Sequence, residues 1–288
     1  MKLKSFYKLS KKNIYVKYIN YYYRPINYDI DHNCYYKDFL VKKSKDLSRI
    51  ELLPKNEEYT KTLIWLYAGD WPEFMVDKLT EYGNFPPKDC KLVLISAPVD
   101  PITWQTAVIE RSWFNIFDYP DFGGQRYIDR KSNDKATSSI NREIKDQYNL
   151  IGNYSNIYIG GFSQGACMSL HSALSYEHEL GGVIALNGFK FDFTPIDSKK
   201  SNLKIVAVNG LSDEVVLIKE VRQSFFTLKK TFNNFKLIEE VDLYHNFTKN
   251  GIDKANMLLD IKDENGKLSD NSLFVDNKSS TLNNYKSI

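Results

Sequence analysis

The chain has 288 residues, 42% hydrophobic and 26% charged, enough to bury one large core and too few for two full-sized ones, so one domain with extensions is expected. The formal charge of +3 is uneven: Lys2, Lys4, Lys8, Lys11, Lys12 and Lys17 crowd the first twenty residues with no acid among them, and without these six the remainder carries −3. That balance argues against a nucleic-acid-binding surface on the body, and no stretch of about 18 apolar residues is present to span a membrane.

Cys34, Cys90 and Cys167 are widely spaced and odd in number, which argues against a disulfide framework and fits a reducing, cytoplasmic setting. Lysines interrupt the amino-terminal stretch before any apolar run reaches signal-peptide length.

In chain order, residues 1–58 form a basic, aromatic extension in which 35–41 and 50–53 read as candidate early strands of a sheet. From Tyr59 the pattern is dense. Short β-rich apolar runs at 63–66, 92–95, 157–159, 183–186, 205–208 and 237–241 read mostly as fully buried strands. Helix-compatible stretches at 74–82, 136–148, 164–176 and 215–232 lie between them. Such alternation predicts an α/β domain over 59–260, a mostly parallel central sheet with helices on both faces. The segment 261–288 is rich in Asn, Ser, Lys and Asp and is expected to be disordered.

The stretch Ile157-Tyr-Ile-Gly-Gly161-Phe-Ser163-Gln-Gly165-Ala is a short β run, then Gly-x-Ser-x-Gly, then a helical segment. This is the nucleophile-elbow layout of α/β-hydrolases, in which small residues permit a tight turn that exposes the serine oxygen. The backbone N–H of Gln164 would then open a helix, where unsatisfied donors and the helix dipole favour a developing oxyanion.

A serine hydroxyl needs a base to take its proton, and the chain has four histidines, His32, His171, His178 and His245. The second and third lie eight and fifteen residues past Ser163, about 12 and 22 Å further along one helix at 1.5 Å per residue, out of reach. His32 precedes every core strand. His245 follows the run at 237–241, at the C-terminal edge of a parallel sheet where ligands bind, and it completes the order Ser, acid, His. Asp213, on the loop after 205–208, has the position to orient the imidazole; Glu214 and Asp197 are the competing carboxylates.

Several segments resemble the acyl-protein thioesterase family, the phospholipase/carboxylesterase group of the α/β-hydrolases. They are Leu63-Ile-Trp-Leu-Tyr-Ala-Gly-Asp70, Ser96-Ala-Pro-Val-Asp-Pro101, Ser112-Trp-Phe114, Gly160-Gly-Phe-Ser-Gln-Gly165, Asn209-Gly-Leu-Ser-Asp213 and Leu243-Tyr-His245, in the family's order. The resemblance implies hydrolysis of fatty-acyl thioesters on cysteine, with overlapping action on lysophospholipids and simple esters. S-acylated proteins or lipid-like esters would be the substrates, Ser163, Asp213 and His245 the catalytic residues, and neither metal nor organic cofactor would be needed.

The family usually has His-Gly-x-Gly-Asp where this chain has Tyr67-Ala68-Gly69-Asp70, one residue shorter. That loop would give the second oxyanion donor, from Ala68 or Gly69. Ser96 stands where a histidine is common. Trp71, Phe74, Trp104, Trp113, Phe114 and Phe189 fall in segments expected to border an acyl-binding mouth, with plain core packing as the alternative. The basic arm reads either as a peripheral tether to anionic membrane or as a solvated extension. Two rival readings stand beside the thioesterase: a carboxylesterase or lysophospholipase with little action on proteins, and a degenerate hydrolase that binds a lipid or partner without turnover.

Overall fold

The computed structural model describes residues 34–44, 48–69, 72–82, 85–102, 108–116 and 128–259. Aliphatic, β-branched and aromatic residues recur in the strands β1 (Cys34–Tyr36), β2 (Phe39–Lys43), β3 (Arg49–Pro54), β4 (Lys61–Tyr67), β5 (Cys90–Ser96), β6 (Val99–Ile102), β7 (Val108–Arg111), β8 (Ile157–Phe162), β9 (Gly182–Leu186), β10 (Ile205–Gly210) and β11 (Phe235–Glu240). The helices are α1 (Pro72–Glu81), α2 (Arg130–Ile151), α3 (Gln164–Ser175), α4 (Ile218–Thr231) and α5 (Lys249–Leu259).

Among the described residues nine strands make one sheet in the order β1-β2-β3-β5-β4-β8-β9-β10-β11. It is parallel from β5 through β11, while β2–β3 and β3–β5 are antiparallel. The candidate early strands therefore pair into the sheet's edge, with the run at 35–41 broken into β1 and β2 by a turn at Lys37, whose φ is +52°. β6 and β7 form a separate antiparallel pair, which the sequence did not announce.

A parallel sheet must be covered on both faces, and the strand periodicity shows how this is met. Ile64, Leu66, Ile157, Ile159, Val183, Ala185, Ile205 and Ala207 share one buried cluster with Ile140 and Ile144 of α2, Leu170 and Leu174 of α3, and Val221 and Phe225 of α4. The alternate residues Leu63, Trp65, Ile184, Leu186, Val206 and Val208 are buried on the other face. There Phe85 meets Trp65 edge-on, and Leu186 and Val208 lie beside Gly251 of α5. β11 is half-buried throughout, because among the described residues it has a neighbour on one side only.

Helix ends follow local hydrogen bonding. α2 starts ahead of the expected 136 because the Asp129 carboxylate accepts from the Lys131 and Ser132 N–H groups, and it stops where Gly152, at φ +74°, donates back to Tyr148. α4 starts after the expected 215 because the Val215 and Val216 N–H groups are committed to Asp213. No helix among the described residues is long and apolar enough to cross a membrane. The basic arm, His32, Trp71, Trp104 and the segment 261–288 lie outside the described residues.

Candidate active site

β8 runs into Ser163, which sits at φ 56° and ψ −120° before α3 begins. A non-glycine residue there costs on the order of 1–3 kcal/mol and needs the surroundings to hold it. Ser163 N–H donates to Leu186 at 2.9 Å, and the Ser163 carbonyl accepts from Cys167 at 3.1 Å. The flanking glycines are required by close approach: a Cβ on Gly161 would lie 2.5 Å from the Gly165 backbone, and one on Gly165 would lie 2.0 Å from the Leu66 carbonyl oxygen. Gly165→Ala therefore drives a methyl group into the backbone of the fully buried β4. We expect a loss of about 3 kcal/mol or more, read as a fall in the urea midpoint; an unchanged midpoint would mean that the elbow does not press on β4.

His245 lies five residues past the end of β11. Its loop is fixed to β10, since Ser212 N–H donates to the Leu243 carbonyl at 3.2 Å, an oxygen so close to Gly210 that a Cβ there would meet it at 2.0 Å. The imidazole Nε2 is 2.9 Å from Ser163 Oγ and Nδ1 is 2.9 Å from Asp213 Oδ2. The Phe162 ring backs it at 4.9 Å.

The Asp213 carboxyl is buried, and each of its oxygens has a distinct duty. Oδ1 accepts from Val215 N–H at 2.8 Å and Val216 N–H at 2.9 Å, while Oδ2 accepts from Asn187 Nδ2 at 2.7 Å and faces His245. Burial alone would raise the pKa of this carboxyl, but the His245 contact, the Val216 N–H and the Asn187 amide together hold it below the usual carboxylate value. Asn187 was not singled out in the sequence. It is fully buried at φ 49°, directly after β9, and Nδ2 also reaches the Tyr244 carbonyl at 3.2 Å. An asparagine ending a strand before a glycine is the available signal, since asparagine tolerates that conformation.

Of the competing carboxylates, Glu214 is exposed, and Asp197 caps the short helix Ser198–Lys200. His171 is buried in α3, 2.9 Å from Thr194 Oγ1. His178 does not share that helix, which ends at Ser175; it stacks on Tyr154 at 4.2 Å. Phe74 falls in α1 and Phe189 packs half-buried against the core. Trp113 and Phe114 are 3% and 2% exposed, with Phe114 edge-on to Phe191, so core packing describes both. Gly69 sits at φ +93° and its N–H donates to the Arg111 carbonyl at 3.0 Å, which commits one of the two nominated amides. Ser96 is buried, and nothing in the structure explains its replacement of a histidine.

A mostly parallel sheet, helices on both faces and a serine elbow at the strand ends define an α/β-hydrolase fold. The family model for Phospholipase/Carboxylesterase matches residues 49–262, and the chain belongs to that family. It is 28% identical over 176 residues to Carboxylesterase SOBER1 of Arabidopsis thaliana, covering 58% of this chain and 75% of that one. It is 33% identical over 130 residues to Acyl-protein thioesterase 1 of Debaryomyces hansenii, covering 43% of this chain and 55% of that one. The crystal structure of Arabidopsis thaliana SOBER1 superposes with a TM-score of 0.61 at 23% identity, over 69% of this chain and 97% of that one, a likeness of fold.

Proposed function

We propose that this protein hydrolyses fatty-acyl thioesters on protein cysteines, or closely related carboxylic esters, through an acyl-serine intermediate. The observation that carries the reading is the hydrogen-bonded line from Ser163 Oγ through His245 to the buried Asp213, with 2.9 Å at each step. In this mechanism His245 Nε2 takes the Ser163 proton as Oγ attacks the acyl carbonyl carbon, and Asp213 stabilises the imidazolium that forms. The Gln164 N–H, at the start of α3, and the Ala68 N–H receive the oxyanion. Return of the proton to the departing thiol or alcohol leaves the acyl-serine. Water activated by the same histidine then releases the fatty acid.

The match to a thioesterase supports S-acylated proteins as substrates. The wider match to a plant carboxylesterase supports a second reading, small esters with little action on proteins. Purified protein assayed on a palmitoyl-cysteine peptide, a lysophospholipid and a short-chain ester separates the two. We expect Ser163-dependent turnover of the peptide at a kcat/KM at least about tenfold above that on the short ester, a difference of about 1.4 kcal/mol in transition-state binding. The reverse order would make the protein a carboxylesterase, and inertness on all three would make it a binding protein with a hydrolase fold.

A further inference from the structure

We infer that the side chain of Gln164 is a positioning residue for the oxyanion site, acting through segment 111–114, which ties the elbow to the Ala68–Gly69 loop. The inference rests on the hydrolase reading above. The Gln164 carboxamide pairs with this segment much as a neighbouring strand would. Its Oε1 accepts from Trp113 N–H at 2.9 Å, and its Nε2 donates to the Phe114 carbonyl at 3.3 Å. Ser112 Oγ lies 2.8 Å from that same carbonyl oxygen and 3.0 Å from Oε1, so its single proton closes the contact from either side.

The segment has no regular structure beyond β7, and its backbone groups are satisfied one by one. The Arg111 carbonyl accepts from Gly69 N–H at 3.0 Å, and Ser112 N–H donates to the Pro98 carbonyl at 2.9 Å. Asn115 N–H donates to Ser132 Oγ at 3.0 Å. Between these fixed points, Trp113 N–H is held by the Gln164 side chain. One residue thus contributes to both halves of the site: its own N–H is one oxyanion donor, and its side chain anchors the segment that grips the loop carrying the other. Removing the carboxamide frees the middle of the segment and, with it, the placement of Gly69 and the adjoining Ala68. Errors of this kind in donor placement cost about 10- to 100-fold in turnover.

The test uses the full chain with Gln164→Met, which keeps the length of the side chain and loses its hydrogen bonds. Two inhibitors separate positioning from mere support of the fold. With a trifluoromethyl ketone, Ser163 Oγ adds to the carbonyl carbon, the proton passes to His245 and the C=O electron pair becomes an oxyanion in the hole. The product fatty acid binds without that oxyanion. Gln164→Met is expected to lower kcat on a short ester by about 10- to 100-fold and weaken the ketone by a similar factor. KM and fatty-acid inhibition should stay within about twofold, the signature of an interaction made in the transition state alone. Unchanged kcat and ketone affinity would overturn the inference, as would equal weakening of ketone and acid in step with a lower melting temperature. Should Gln164→Met not fold, Gln164→Asn, one methylene too short for the pairing, carries the same comparison with the same outcomes. A wild type inert on every ester and thioester overturns the hydrolase reading and this inference with it; an active wild type with an indifferent variant overturns the inference alone.

Discussion

Ser163→Ala is expected to lower turnover by about a million-fold, the scale on which a serine hydrolase depends on its nucleophile, and to abolish labelling by a fluorophosphonate. The substitution removes only Oγ, so the backbone at φ 56° and its hydrogen bond to Leu186 remain, and the urea midpoint should scarcely move. Ser163→Gly should be equally inactive but more stable by about 1 kcal/mol, because glycine adopts that conformation without a Cβ penalty. Labelling that survives Ser163→Ala would place the nucleophile elsewhere; a glycine variant no more stable than the alanine one would show that the elbow is not strained.

Asp213→Asn is expected to cost about 10⁴-fold in kcat with the site otherwise intact, through the wrong imidazole tautomer. The structure dictates which way the new amide must face. Two backbone N–H groups point at Oδ1, so the amide oxygen belongs there and the NH₂ group must occupy the Oδ2 position, toward His245 Nδ1. Nδ1 must then accept, Nε2 carries the proton, and the imidazole cannot take one from Ser163. Asn187 adds to the penalty, since its own NH₂ already points at the same position from 2.7 Å.

The same substitution alters acid stability. The Asp213 pKa is held below its unfolded value, so the stability it contributes is present in full above the usual carboxylate value and is lost as pH falls through the lower native one. Urea midpoints measured between about pH 7 and pH 3 should therefore fall less steeply for Asp213→Asn than for wild type. Parallel profiles would mean that this carboxylate titrates alike in the folded and unfolded chain.

The parts of the molecule legible in the sequence are those whose signals are local. Buried parallel strands write themselves as short apolar runs, and β4, β5, β8, β9 and β10 lie where those runs are. Gly161 and Gly165 flag the elbow because close backbone contacts leave room for nothing larger, and with four histidines in the chain few can lie beside Ser163, as His245 does. The parts that escaped depend on distant partners. α5 begins Lys-Asn-Gly, a poor helix start, and is held by burying Ile252, Ala255, Leu258 and Leu259. β6 contains Pro101 and Asp100 and shows no apolar alternation. The asparagine before Gly188 hints at a turn, but the contact of Asn187 with Asp213, 26 residues away, is visible only once the two are side by side. The grip of Gln164 is on main-chain groups about 50 residues upstream, and main-chain groups leave no trace in a sequence.

The three residues of the hydrogen-bonded line differ in how firmly the sheet holds them. Ser163 and Asp213 follow the interior strands β8 and β10, whereas His245 follows β11, the outermost strand, half-open to solvent along its whole length. Opening at that margin would loosen the strand leading to His245, whose loop would then rest on the Ser212–Leu243 and Asn187–Tyr244 hydrogen bonds, while Ser163 and Asp213 keep their strands. Serine-dependent hydrolysis is accordingly expected to fall with heat or denaturant before the signal from the buried centre does; coincident loss of the two would show that this margin does not open by itself.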